Sequence, residues 1–164
     1  MTEKTAALNF ANDIQLNITD SDLLVMALTH PSYAQEKNFD HNNQRLEFLG
    51  DAVLSFVIAE YLYNHYQDKA EGELTKIRAR VVCEKSLLNV ARKINLGNYL
   101  LLGKGEEMSG GRKRRSILAD TVEAVIGAIY LDQGYEKAKE FILTHLENNI
   151  IEGASGDYYD YKSR

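Results

Sequence analysis

Two pairs of carboxylates lie at helical spacing in this chain. Glu47 and Asp51 are four residues apart, and Asp120 and Glu123 are three residues apart. Both spacings place side chains beside each other on a helix surface, where like charges weaken the helix unless a cation joins them. Four converging carboxylates would form an all-oxygen site suited to Mg²⁺ or Mn²⁺. Such metal sites are used to hydrolyse phosphodiesters, and that is the chemistry these residues indicate.

A run of four cationic residues precedes the second pair. Arg112, Lys113, Arg114 and Arg115 follow a Ser-Gly-Gly sequence, which predicts a basic loop. The formal net charge of −5 argues against a nucleic-acid partner, and such a run is often only a solvated surface. Next to an acidic metal site, however, a basic loop is what an enzyme acting on a phosphate backbone needs. Arg78 is a further candidate, for which phosphate contact and pairing with a nearby acid are both open.

The composition indicates one globular domain in a reducing compartment. The chain has 164 residues, 45% hydrophobic and 26% charged, which suffices for a single core. No apolar run approaches the roughly 20 residues that cross a bilayer, and the N-terminus lacks the pattern of a secretory signal, so no membrane contact is expected. The one cysteine, Cys83, excludes an internal disulfide, argues against a Cys/His zinc site and suggests a small buried apolar residue. We expect a cytoplasmic protein.

Helical periodicity dominates the chain and predicts an all-α fold with about seven helices. The predicted helices cover residues 3–14, 21–30, 43–65, 73–94 with a joint near Cys83, 116–132 and 135–151. Pro31 is expected to stop the second helix, and loops are predicted at 33–42 and 95–111. His30 is interpreted as a helix-end residue whose side chain bonds backbone carbonyls.

Four segments, in this order and at these spacings, resemble the ribonuclease III family. They are ALTHPSYA at 27–34, QRLEFLGD at 44–51, EGELTKIRA at 71–79 and GEEMSGGRKRRSILADTVEA at 105–124. The second is similar to the family signature Glu-Arg-Leu-Glu-Phe-Leu-Gly-Asp, and the resemblance is greatest to the bacterial enzyme that processes double-stranded RNA. It implies a catalytic domain over residues 1–152. Residues 153–164 are then expected to be a linker and the first residues of a truncated double-stranded-RNA-binding domain.

The resemblance implies roles for the acidic residues. Glu47, Asp51, Asp120 and Glu123 match the family positions that hold Mg²⁺, for which Mn²⁺ can substitute, with Asp51 and Glu123 as the catalytic pair. Glu71 matches a fifth acidic position that faces the same cleft. In a two-metal scheme one ion activates the attacking water and the other stabilises the leaving 3′-oxygen. The family cuts double-stranded RNA during rRNA and mRNA maturation and leaves 5′-phosphate and 3′-hydroxyl ends.

Two further positions bear on substrate and assembly. Gln44 stands where the family usually has glutamate, and it shares the helix face of Glu47 and Asp51. Its amide could bind a metal-bound water or a ribose but carries no charge, so its secondary role is open. Phe48 is turned by about 100° from Glu47. It is either a core residue of the single chain or, as the resemblance implies, an aromatic that inserts into the other subunit of a homodimer whose two sites each cut one strand.

Two alternative functions would require other residues. A non-catalytic module of the same fold, serving RNA binding or dimerisation, would be expected to lose at least one of the four principal carboxylates, and all four are retained. A di-iron carboxylate bundle would need Glu-x-x-His pairs on facing helices, and the chain has none. The sequence therefore favours a metal-dependent endoribonuclease.

Overall fold

Residues 2–155, which the computed structural model describes, contain nine α-helices and two 3₁₀ helices. The α-helices are α1 (Glu3–Asp13), α2 (Ser21–Leu28), α3 (Pro31–Lys37), α4 (Gln44–His65), α5 (Glu71–Val81), α6 (Glu84–Lys93), α7 (Lys104–Met108), α8 (Arg115–Gln133) and α9 (Tyr135–Ala154). The 3₁₀ helices are Leu96–Tyr99 and Gly111–Lys113. Within the described residues the only extended pairing is an isolated bridge between Thr29 and Leu101. The predicted all-α fold class is confirmed.

Helix α8 lies at the centre of the core because it is apolar on almost every side. Eleven of its residues are buried, between Ile117 and Ile129. A helix that is apolar all round is stable only when other elements cover it. The long helix α4 supplies much of that cover through buried residues such as Leu46, Val53 and Val57.

Helices α4 and α8 are in backbone contact at two glycines. A Cβ atom on Gly127 of α8 would lie 2.4 Å from the carbonyl oxygen of Leu46, and Gly50 of α4 packs in the same way against α8. No side chain fits in such a space, because protein interiors are close-packed. The carboxylates of the two helices therefore lie close to one another.

Helix α3 begins at Pro31, where the sequence pattern predicts a stop and then a loop over 33–42. Proline suits the first helical position because its missing N–H would have no partner there. His30 is the N-cap of α3, and its Nδ1 accepts a hydrogen bond from the Ser32 N–H at 3.1 Å. The loop prediction over 33–42 is therefore wrong for residues 33–37 and confirmed for residues 38–42. The interpretation of His30 as a residue that bonds carbonyls through its side chain is wrong.

The glycine-rich stretch 95–111 also contains helical structure that its composition does not predict. Helix α7 and the 3₁₀ helix Leu96–Tyr99 form there, and the N–H of Lys104 in the first turn of α7 donates to Glu36 at 2.7 Å. Such short helices depend on contacts from elsewhere in the fold. Upstream, the predicted helix over 73–94 divides into α5 and α6, with the break at the expected joint. Cys83 is the N-cap of α6 and is only partly buried, so it differs from the small buried apolar residue that was expected.

Helix α9 continues to Ala154, two residues past the predicted domain boundary. The Arg80 guanidinium donates to the carbonyl oxygen of Gly153 at 2.8 Å and holds this end of the helix against α5. The rest of the predicted linker and RNA-binding-domain segment, residues 156–164, lies outside the described residues. None of the helices over 2–155 combines the length and apolar character needed to span a membrane.

Candidate metal centre

The four predicted carboxylates converge between α4 and α8. Oxygen atoms of Glu47, Asp120 and Glu123 lie within 4.8 Å of one another. The carboxyl group of Glu47 lies against that of Asp120, and the carboxyl group of Glu123 lies against that of Asp51. Each of these contacts links a carboxyl group of α4 to one of α8. The structure therefore joins the two helical pairs crosswise, and Asp51 enters the cluster through Glu123.

Burial and mutual repulsion make this cluster costly when all its members are charged. Burial, assisted by the neighbouring carboxylates, raises the pKa of Glu47 from 4.5 to about 7 and the pKa of Glu123 from 4.5 to about 9. Burial also raises the pKa of Asp120. Within residues 2–155 no lysine, arginine or histidine forms an ion pair with any of the four.

A divalent cation would supply the positive charge that this cluster lacks. The donors are all carboxylate oxygens, which are the ligands that Mg²⁺ and Mn²⁺ favour. Raised pKa values in a group of close carboxylates are typical of a functional site because they record charge that the protein alone does not compensate. The residues present therefore fit a hard divalent metal.

The other two predicted acidic-cleft residues lie outside the cluster. Gln44 is exposed at the first residue of α4, one turn before Glu47. Glu71 is exposed at the first residue of α5 and is not part of the carboxylate group. It lines an open pocket of about 690 Å³ together with Tyr63, Tyr66 and Leu74.

The four residues of the basic run before α8 differ in their partners and in their exposure. Arg112 forms an ion pair with Glu107, and Arg114 forms one with Glu106 at 2.6 Å. Arg115 is exposed and forms an ion pair with Glu84 at 3.4 Å, and Lys113 is exposed with no ion pair among the described residues. Arg78 is partly buried in the last turn of α5.

Phe48 projects from the protein surface. Its side chain is 82% exposed, so it is not a core residue of the single chain. Two more aromatic residues of α4, Phe56 and Tyr63, are 58% and 74% exposed. An exposed row of large aromatic side chains on one helix is typical of an interaction surface.

His30 lies at the edge of the cluster and was missed as a site residue. Burial lowers the pKa of His30, and the charges of Glu106, Arg114 and Asp120 also act on it. Its Nε2 atom is 3.9 Å from Glu106. The only signal for it in the sequence is its place in the segment ALTHPSYA, which says nothing about what the folded chain places beside it.

Known proteins are similar to this chain in sequence and in fold. Residues 20–150 match the family model described as Ribonuclease-III-like, and all four resembling segments lie within that range. The chain is 70% identical to Ribonuclease 3 of Syntrophomonas wolfei over 162 residues, covering 99% of this chain and 70% of that protein. The chain belongs to the ribonuclease III family. Ribonuclease 3 of Clostridium tetani is 52% identical over 155 residues, covering 93% of this chain and 66% of that protein.

A solved structure from the family has the same fold. The nuclease domain of ribonuclease III from Campylobacter jejuni superposes with a TM-score of 0.79 at 44% identity, covering 85% of this chain and 95% of that chain. The fold is therefore that of a ribonuclease III nuclease domain. The chain spans about two thirds of the length of the two Ribonuclease 3 relatives, with 70% and 66% of each covered.

Proposed function

We propose that this chain is the nuclease domain of a ribonuclease 3 and that it hydrolyses phosphodiester bonds in double-stranded RNA. Cleavage leaves 5′-phosphate and 3′-hydroxyl ends and serves rRNA and mRNA maturation. The observation that carries this proposal is the crosswise cluster of four carboxylates between α4 and α8. Its support from relatives is their name, Ribonuclease 3, at up to 70% identity.

The four carboxylates would hold Mg²⁺, or Mn²⁺ in its place. When bound, such a metal supplies Lewis acidity at the scissile phosphate and lowers the pKa of the attacking water. Glu47 and Glu123 are half-buried and form the floor of the site together with Asp120. Asp51 is exposed beside Glu123, so its carboxylate is placed to accept a proton from the water that attacks the phosphate.

Double-stranded RNA would approach the cluster along the basic side of α8. Lys113 and Arg115 are exposed and stand just before the helix that carries Asp120 and Glu123. Arg78 is a further candidate for phosphate contact, and Gln44 could reach a ribose at the other edge of the cluster. Because phosphate contacts are electrostatic, binding by an acidic domain with few such contacts should weaken steeply with added salt.

The proposed enzyme is a homodimer with α4 at its interface. Phe48 and Tyr63 stand eight residues before and seven residues after Phe56, and all three side chains are exposed. At about 1.5 Å per residue, two antiparallel α4 helices that cross near Phe56 would place each Phe48 beside the far end of the partner's helix. The solved Campylobacter jejuni nuclease domain is described as having a region involved in dimer formation.

The proposed pairing of the two α4 helices also explains the position of Glu71. The pocket of about 690 Å³ beside Tyr63 and Leu74 lies where the other subunit's Phe48 would arrive, and Glu71 lines that pocket. Because Phe48 follows Glu47 directly, Glu71 would then face the metal cluster of the other subunit. The fifth acidic residue would thus reach the cleft across the two-fold axis, and each site would cut one strand.

We also propose the domain boundary and the compartment. Residues 1–152 form the nuclease domain, and residues 153–164 begin the connection to a double-stranded-RNA-binding domain. The relatives support this assignment because they extend beyond the part that this chain matches. The chain's one cysteine suits the reducing cytoplasm, where we expect the enzyme to act.

Substrate class is tested by offering one sequence in two forms. A long RNA duplex and each of its single strands are incubated with the protein in Mg²⁺, and the ends of the products are analysed. We expect the duplex alone to be cut, with 5′-phosphate and 3′-hydroxyl ends and a short 3′ overhang. Equal cutting of the single strands, or 3′-phosphate ends, would contradict the proposal.

A further inference from the structure

The guanidinium group of Arg112 forms hydrogen bonds within the protein. Its Nη1 donates to the carbonyl oxygens of Gly97 and Leu100 at 2.8 Å and 2.9 Å. Its Nε and Nη2 bind the carboxylate of Glu107. A phosphate group would need the same planar edge of donors that Glu107 already occupies. Arg112 therefore ties α7 to the 3₁₀ helix Leu96–Tyr99.

The guanidinium group of Arg114 is used in a similar way. It donates to Glu106 at 2.6 Å and to the carbonyl oxygen of Ser109 at 3.0 Å. The other oxygen of Glu106 lies 3.9 Å from Nε2 of His30. Hydrogen bonding to Arg114 lowers the pKa of Glu106, so this pair stays charged at neutral pH. A chain of contacts thus runs from Arg114 through Glu106 to the N-cap of α3.

The segment between these residues is fastened to α3 at its other end as well. The hydroxyl oxygen of Ser32 accepts a hydrogen bond from the Gly103 N–H at 2.9 Å, one residue before α7 begins. A Cβ atom on Gly111 would lie 2.8 Å from the carbonyl oxygen of Glu106, so the segment also closes tightly on itself. Residues 103–114 therefore form a folded unit with few free cations, and not an open basic loop.

This unit leads directly into the helix of the metal cluster. The carbonyl oxygen of Arg114 accepts the first helical hydrogen bond of α8, from the Leu118 N–H at 3.0 Å. Asp120 follows Arg114 by six residues, less than two helical turns along the same helix. Any shift of the start of α8 would therefore be passed to Asp120. The side chain of Arg114, held at Glu106 and Ser109, fixes that start.

We propose that Arg112 and Arg114 are positioning residues that fix the start of α8 and with it Asp120, whereas Lys113 and Arg115 contact the RNA backbone. The RNA half of this inference rests on the proposed function. The positioning half concerns metal affinity alone and is tested without RNA. The run of four cations thus performs two tasks, with Arg112 and Arg114, which bind carbonyl and carboxylate oxygens of residues 97–109, alternating with Lys113 and Arg115.

Neighbouring substitutions with the same change of charge separate the two tasks. Arg114→Gln and Lys113→Gln each remove one positive charge from the run. We expect Arg114→Gln to weaken Mn²⁺ binding to the RNA-free protein about tenfold and to lower kcat, because it loosens support for a metal-binding helix. We expect Lys113→Gln to leave Mn²⁺ affinity unchanged, to raise KM and to reduce the salt slope of RNA binding by about 1. Calorimetry and steady-state kinetics measure these quantities.

Glu106→Gln gives the sharper contrast. It makes the run more positive, so a simple phosphate-binding loop would bind RNA more tightly after this change. In the positioning account it weakens Mn²⁺ binding as Arg114→Gln does, and the double variant is no worse than either single one. Circular dichroism establishes that the variants are folded, and Glu106→Gln serves as the test should Arg114→Gln not fold.

One pattern would overturn the inference. If Arg114→Gln and Glu106→Gln bind Mn²⁺ as the unaltered protein does, while Arg114→Gln raises KM as Lys113→Gln does, then Arg114 is a phosphate contact. Failure of the unaltered protein to cut duplex RNA would instead contradict the proposed function. The Mn²⁺ titrations would still decide the positioning role in that case.

Discussion

Gly50 lies against the main-chain carbonyl oxygen of Glu123 so closely that a Cβ atom on residue 50 would be 1.6 Å from that oxygen. Gly50 is flanked on α4 by Glu47 and Asp51, and Glu123 belongs to the second carboxylate pair. The backbone contact that needs glycine is therefore also the contact that brings the two pairs together. The spacing of residues along each helix forms the two carboxylate pairs. The glycines allow the two helices to approach closely enough for the pairs to come together.

Replacing these glycines should damage the fold and the metal site together. Gly127→Ala places a methyl group against the Leu46 carbonyl oxygen and should cost about 1–3 kcal/mol of unfolding free energy, as overpacking does. Gly50→Ala should cost more, because its neighbour is backbone at a shorter distance. Gly72→Ala is the control, since a Cβ atom there meets nothing within 4 Å. Urea denaturation and Mn²⁺ titration measure both effects, and Gly50→Ala with unaltered stability would contradict the packing account.

The metal-free protein should lose stability as the pH rises from 7 to 9. Burial raises the pKa of Glu123 from 4.5 to about 9, so over this range the folded state keeps a proton that the unfolded state has already released. The free energy of unfolding therefore falls with rising pH. His30 and His145 do not contribute between pH 7 and 9, because burial lowers their pKa values below 6.5. Their titration makes the free energy of unfolding rise with pH, but only at lower pH.

Glu123→Gln isolates this contribution from other titrating groups. The variant should show a flatter pH dependence in EDTA, and adding Mg²⁺ at pH 8 should stabilise the unaltered protein and not the variant. Urea denaturation at pH 7, 8 and 9 provides the comparison. Parallel curves for the two proteins would show that Glu123 does not carry the raised pKa.

Phe48→Ala should separate the subunits without unfolding them. An aromatic anchor that is buried in a pocket of the partner contributes about 2–4 kcal/mol to association, and the exposed Phe48 contributes little to the core of its own chain. Sedimentation should show a monomer that remains helical by circular dichroism. Met108→Ala is the matched control, because Met108 is 87% exposed away from α4 and its loss should leave the dimer intact. A monomeric unaltered protein at micromolar concentration would rule out the proposed assembly.

The sequence predicts the long helices well because periodicity and length define them. Predicted helices at 43–65 and 116–132 correspond to Gln44–His65 and Arg115–Gln133. The short helices are missed because their stability comes from distant partners. Helix α7 has its first turn held by Glu36, and no local pattern reveals a bond between residues 68 positions apart.

The candidate site divides in the same way. Helical spacing and the family resemblance suffice to name Glu47, Asp51, Asp120 and Glu123. Their crosswise pairing depends on how α4 and α8 pack against each other. Two glycines determine that packing, and their role cannot be recognised from the sequence alone. The basic run shows a further limit of prediction from the sequence. Its four cationic side chains are of similar type, but they have different partners in the fold.

The most direct test of the central claim is the rate at which Glu123→Gln cleaves one RNA duplex in Mg²⁺. Glutamine keeps the size of the side chain but loses the charge that a hard cation requires. Glu136→Gln, an exposed site at the start of α9, makes the same chemical change away from the cluster and should leave the rate unaltered. We predict that Glu123→Gln reduces cleavage to the level seen in EDTA while the protein stays folded and dimeric. Cleavage by Glu123→Gln at the rate of the unaltered protein would contradict the assignment of the metal centre.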